Sequence, residues 1–292
     1  MTLTFRCIAD LRAGLTESPV WDDRRGTLFV CDIPGKAIIE IDLAEGVRRQ
    51  WSFEAEVTAL GLCDSGALVV ALARKVIVFD PDTETRRDLW TGYDEPETSR
   101  LNDGKVGPDG AFWIGAMDGR ADRKPIARLY RVDAQGQARA MEGGFAVSNG
   151  LAWSPDGRSL YHSDSRGPWI DRLDFDPATG EATNRRRMVD LDEATGRPDG
   201  GACDADGDYW SAGVSASVLN RFAPDGTLRA RIPVPVPAPT MPCFCGPDLK
   251  QIAITSHRQV DAAALEDAPQ SGSVFLAEAP VSGTPVARMK GL

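Results

Sequence analysis

Four polar side chains stand in short, similarly placed motifs and could do chemistry together. They are Glu17 in Thr16-Glu17-Ser18-Pro19-Val20-Trp21, Asn102 in Arg100-Leu101-Asn102-Asp103-Gly104, Asn149 in Ser148-Asn149-Gly150, and Asp199 in Pro198-Asp199-Gly200. Two carboxylates and two amide carbonyls are hard oxygen donors, which suit Ca2+, Mg2+ or Mn2+ and admit Zn2+ and Fe2+. Four protein donors leave coordination positions for water and a substrate, the arrangement of a catalytic ion. Each motif alone is a common turn sequence. The chemistry therefore requires an architecture that brings four distant segments to one point.

The sequence supplies one. Short β-type runs alternate with turn signals every eight to twelve residues or so, and no long amphipathic helix is present. Asn102 to Gly115, Asn149 to His162 and Asp199 to Ala212 align: a polar residue, a short strand, an Asp-Gly turn, then a strand bearing an aromatic residue. Weaker copies begin at Glu17, Thr58 and Met241, so successive starts are 41, 44, 47, 50 and 42 residues apart. A period of about 40–50 residues with several strands per unit predicts propeller blades. The expected fold is all-β, a six-bladed propeller of four-stranded antiparallel blades around a central channel, forming one domain over residues 1–292. Thr4 to Leu11 should complete the last blade and hide its edge, and Ala262 to Gly272 reads as a surface insertion or short helix. The first strand of each blade lines the channel, so Glu17, Asn102, Asn149 and Asp199 should face one another at one mouth. Thr58 and Met241, at the same phase in blades two and six, are weak ligands.

Composition narrows the functional classes. At 292 residues with 42% hydrophobic content the chain can build a substantial core. A formal charge of −10 argues against nucleic acid, whose binding needs clustered Lys and Arg. Residues 1–10 lack the features of a signal peptide, and no run approaches the roughly 20 apolar residues of a membrane span. The expectation is a cytoplasmic protein, off the membrane, monomeric or weakly homo-oligomeric. Six scattered cysteines, with no CxxC pair, are expected to be reduced and buried.

Taken together, Glu17 to Trp21, Arg100 to Val106, Phe112 to Met117, Ser148 to Gly150, Leu160 to Asp164 and Pro198 to Gly200 resemble the gluconolactonase family that includes regucalcin (senescence marker protein). The resemblance runs over essentially the whole chain. It implies hydrolysis of a small-molecule sugar lactone, a pentono- or hexonolactone, to its aldonic acid. It further implies that Glu17, Asn149 and Asp199 bind one divalent cation, that Arg100 and Asn102 meet the substrate with Asn102 also close to the metal as a possible fourth ligand, and that Asp199 is catalytic, either as the general base or by orienting a cation-activated water. The loop from Asp118 to Arg123 is expected to tune the sugar accepted, with Asp118 touching its distal hydroxyls. The first motif departs from the Gly-Glu-Gly-Pro pattern of relatives by carrying Ser18.

Other residues carry less. Asp103, beside Asn102, is a further candidate acid or base, but reads first as a turn residue bonding its own backbone. His162 reads as packing in blade four, whereas His257 follows a strand end and could approach the channel mouth. Asp204-Ala205-Asp206-Gly207-Asp208 begins like a calcium loop but has its glycine too early and Ser215 at the twelfth position, so it reads as a hairpin turn. Two rival functions remain at this stage: a phosphotriesterase-like or other lactone or ester hydrolase, which predicts an apolar pocket mouth, and a non-catalytic binding propeller, which predicts loss of the ring residues.

Overall fold

The computed structural model describes residues 2–292. Six antiparallel four-stranded sheets are arranged as a six-bladed β-propeller, and the blade starts fall at the expected phase. The innermost strands are Thr16–Asp22, Val57–Cys63, Ser99–Val106, Ser148–Trp153, Pro198–Cys203 and Pro239–Cys245. Four of them are buried along their whole length, and the other two except at Arg100, Asn102, Lys105 and Asp199, while outer strands such as Gly46–Ser52 and Glu181–Asp190 carry exposed charge.

The Asp-Gly turns do more than reverse the chain. In blade three, Asp109 accepts a hydrogen bond from Trp113 Nε1 at 3.1 Å and pairs with Arg131 at 2.6 Å. In blade five it is Asp204, two residues before the Asp206-Gly207 turn, that does the same for Trp210 at 2.8 Å and Arg221 at 2.8 Å. Asp204 also accepts the amides of Asp206 and Asp208, which makes this segment a hairpin turn. Each indole, satisfied at its nitrogen, can then be fully buried between blades. Trp113 packs edge-on against Trp153 and Phe175 of blade four, and Trp210 against Phe244 of blade six.

The ring closes as predicted. Arg6–Ala9 pairs antiparallel with Val274–Glu278 and forms the outer edge of the sixth blade. The weakly patterned stretch contains a six-residue helix, Ala262–Asp267, capped by the Asp261 side chain accepting from the Ala264 amide. One feature had no sequence signal. The C-terminal segment crosses the mouth opposite the four motifs, where Thr284 donates to the carbonyls of Cys203 and Asp204. Arg288–Met289 then adds a parallel fifth strand to blade two. No helix among the described residues is long and apolar enough to cross a membrane.

Candidate functional site

Every innermost strand breaks register with its neighbour near its start: between Glu17 and Val20, Val57 and Ala59, Leu101 and Gly104, Asn149 and Ala152, Pro198 and Gly201, and Pro239 and Pro242. A bulge releases residues from strict alternation and re-aims their side chains. Here the six bulges sit at the channel mouth, where they open the ring of polar side chains. The turn-like dipeptides of the sequence are these bulges. Gly150 adopts φ +69°, and a Cβ there would lie 2.4 Å from Tyr209 Oη, which donates to the Gly150 carbonyl. Ser18 adopts φ +49° where a glycine would be at ease. Its hydroxyl compensates by accepting from the Leu60 amide of blade two at 2.9 Å.

The bulges open onto a cavity of about 610 Å3 lined by Glu17, Arg100, Asn102, Asp103, Asn149 and Asp199, among others. Glu17 is nine-tenths buried, and its Oε2 accepts the Ser18 amide at 2.7 Å. Asn149 is oriented by donating Nδ2 to Ser165 Oγ at 2.7 Å, which turns Oδ1 the other way. Asp199 is partly exposed through the cavity, and its carboxylate accepts no hydrogen bond among the described residues. Burial raises the pKa of Glu17, and the nearby charges of Asp199 and Asp103 raise it further. The Asp199 carboxyl is raised in the same way, first by burial and then by Asp103. Such a cluster is short of positive charge.

Two carboxylates and an amide oxygen, with one carboxylate lacking any donor, are a donor set that a hard divalent cation would satisfy. No group of three or more His, Cys, Asp or Glu among the described residues is gathered as a metal site, so the amide oxygen of Asn149 is integral to the fit. Asn102, the possible fourth ligand, is tied to neighbours on both sides. Its Oδ1 accepts Arg100 Nη1 at 3.0 Å, while its Nδ2 donates to Asn149 Oδ1 and to the Ser148 carbonyl, both at 3.0 Å. Asn102 thus couples Arg100 to Asn149. Arg100 also pairs with Glu56 at 3.4 Å.

Two expectations need correction. Asp103 is not a turn residue bonding only its own backbone: it is 96% buried, accepts the Leu151 amide of blade four at 3.2 Å through Oδ2, and leaves Oδ1 without a partner. The bulge carried it inward. Asp118 does not reach the cavity. Its side chain is fully buried, pairs with Arg120 at 2.9 Å and accepts the Lys124 amide at 2.6 Å, so it holds its own loop together. From that loop Gly119 and Arg123 line the cavity instead.

Arg123, Arg166, Arg197 and His257 also line the cavity. They sit on loops and strand ends, where the repeat gives no phase. Lys105 reaches across the channel to the Gly201 carbonyl at 2.6 Å, and its charge partly offsets Asp103 and Glu17. His162 packs beside Phe145 and Trp169 and bonds Ser148 Oγ at 2.7 Å, as a packing residue should.

Comparison with known proteins agrees with this geometry. Residues 15–258 match the family described as SMP-30/Gluconolactonase/LRE-like region. A 6-deoxy-6-sulfogluconolactonase of Pseudomonas putida is 35% identical over 97% of both chains. Regucalcin of Oryctolagus cuniculus is 30% identical over 94% of each. The crystal structure of a calcium-binding protein, regucalcin, of Agrobacterium tumefaciens superposes with a TM-score of 0.92 at 26% identity, covering 99% of this chain and 98% of that one. By sequence and by fold, the chain belongs to the SMP-30/gluconolactonase family.

Proposed function

We propose that the protein hydrolyses a sugar aldonolactone to its aldonic acid, with one divalent cation held by Glu17, Asn149 and Asp199. The observation that carries this reading is the Asp199 carboxylate, which faces the cavity without a hydrogen-bond donor, near a second buried carboxylate and with the Asn149 amide oxygen in the same cavity. The names of relatives support it: one acts on a sulfogluconolactone, and a solved relative is described as calcium-binding. When bound, such a cation supplies Lewis acidity, drawing electron density from the lactone carbonyl.

The chain's own residues do the rest. Arg100, anchored by Glu56 and the Leu101 carbonyl, offers a planar fork to the oxygens of the sugar. Asn102 fixes Arg100 relative to Asn149, so substrate position and donor position are set together. Water adds to the carbonyl carbon, the ring C–O bond breaks, and the ring oxygen leaves as a hydroxyl. Asp199 is assigned the proton given up by the water, on the carboxylate oxygen not turned to the cation, and returns it to the departing ring oxygen; no hydrogen-bond donor occupies that oxygen, and a bound cation would offset the rise in pKa that burial causes. The guanidinium-lined wall weighs against a pocket for lipophilic esters. A panel of aldonolactones assayed by acid release, before and after chelation and cation add-back, tests the reading. Chelator-insensitive turnover, or no turnover of any sugar lactone, would sink it.

A further inference from the structure

The cavity wall carries more positive charge than the lactone chemistry uses. In a chain of net charge −10, four arginines line one pocket. Two of them are neutralised by neighbours: Arg100 by Glu56 at 3.4 Å, and Arg197 by Glu193 at 3.3 Å. The other two form no ion pair among the described residues. The loop from Asp118 to Lys124 holds two acids and three bases. Asp118 pairs with Arg120 and Asp122 with Lys124, both at 2.9 Å, which leaves Arg123 over. Among the described residues the Arg123 side chain donates to the Asp118 carbonyl, approaches Met117 Sδ, and donates to nothing else.

Arg166, in the turn after Ser159–Asp164 of the neighbouring blade, makes no side-chain hydrogen bond or ion pair among the described residues. Its neighbour Asp164 cannot serve it, because that carboxylate already accepts the amides of Ala146, Val147, Arg166 and Gly167. Arg123 and Arg166 are close enough that the charge of Arg166 lowers the pKa of Arg123, after partial burial. Two like charges held together on a pocket wall repel unless an anion joins them. Neutral sugar hydroxyls do not require such a pair.

We infer that Arg123 and Arg166 form an anion subsite, and that the substrate is an aldonolactone carrying a carboxylate, sulfonate or phosphate on the carbons remote from the lactone carbonyl. Paired guanidinium groups suit the planar or tetrahedral oxygens of all three. The inference rests on the lactonase reading for the lactone and on the arginine pair for the charge.

The test compares gluconolactone with its 6-carboxylate, 6-sulfonate and 6-phosphate counterparts, using wild type and the double variant Arg123→Gln/Arg166→Gln. The expected result is a kcat/KM at least about tenfold higher for one charged lactone, carried by KM. The double variant loses that advantage and keeps its rate on gluconolactone. An unchanged ratio in the variant, or a wild-type preference for the neutral lactone, overturns the inference. Calorimetric binding of gluconate and of 6-phosphogluconate, 6-sulfogluconate and glucarate separates the two claims. Tighter binding of an acid with a second anionic group than of gluconate, lost in the variant, upholds the subsite even if no lactone turns over, in which case the lactonase reading alone fails. Equal binding of gluconate and of the acids carrying a second anionic group overturns the subsite.

Discussion

In cation-free protein, Asp199→Asn removes a carboxylate that accepts no hydrogen bond and lies within the field of Asp103. A fully buried charge left without its partner costs about 3–5 kcal/mol. Asp199 keeps some exposure through the cavity, so about half of that is reasonable, roughly 2 kcal/mol. The new amide brings its own need for partners, which offsets up to about 1 kcal/mol. The net gain is about 1–2 kcal/mol, a rise in Tm of roughly 2–3 °C for a chain of this size. Wild type should in turn gain about 2.7 kcal/mol from a cation at a hundred times its Kd, and the variant much less. The assay is thermal unfolding in chelator and in graded Ca2+ or Mn2+, beside lactone turnover. A variant no more stable than wild type in chelator, with an intact response to cation, would refute the reasoning.

Three further perturbations follow from local structure. Ser18→Ala keeps the φ of +49° but leaves the Leu60 amide without its acceptor, so it should destabilise by about 1–3 kcal/mol. Ser18→Gly should cost less, because relief of backbone strain offsets the lost bond; denaturant unfolding that ranks the two the other way would contradict this. Burial, helped by Arg185, holds the His162 imidazole down at about 3, so between that value and 6.5 only the unfolded chain binds the proton. Its contribution is full above pH 6.5 and is lost as pH falls, by about 2 kcal/mol at pH 5, and His162→Gln should flatten that acid slope in urea midpoints. Deleting residues 1–10 strips the edge strand from Val274–Glu278 and removes buried Ile8 and Ala9, for a loss of at least about 3 kcal/mol read by the same unfolding.

The blades were legible because blades three, four and five repeat a polar residue, a short strand and an Asp-Gly turn, which the other three echo more weakly; beside two of these turns an aspartate, Asp109 or Asp204, also holds a tryptophan. The phase of that repeat located the innermost strands, and with them Glu17, Asn102, Asn149 and Asp199. It could not say how each side chain would turn. Asn-Asp-Gly reads as a tight turn, whereas the bulge between Leu101 and Gly104 buries Asp103 against blade four. Asp118 was placed at the substrate because its loop was; local pairing with Arg120 and Lys124 turned it back. Arg123, Arg166 and Arg197 stand outside the repeat, on segments whose course is set by contacts between blades. The C-terminal strap was silent for a similar reason, since its bonds are to the carbonyls of other blades rather than to a pattern of its own.

The central claim is that Glu17, Asn149 and Asp199 together form one cation site at the open mouth of the channel. Its most direct test is anomalous diffraction at the manganese edge from crystals grown with Mn2+, beside crystals of Asp199→Asn. The account predicts a single strong peak within about 2.1–2.6 Å of a Glu17 carboxylate oxygen, Asn149 Oδ1 and an Asp199 carboxylate oxygen, and its loss in the variant. A peak elsewhere, or an unchanged peak in the variant, would contradict it.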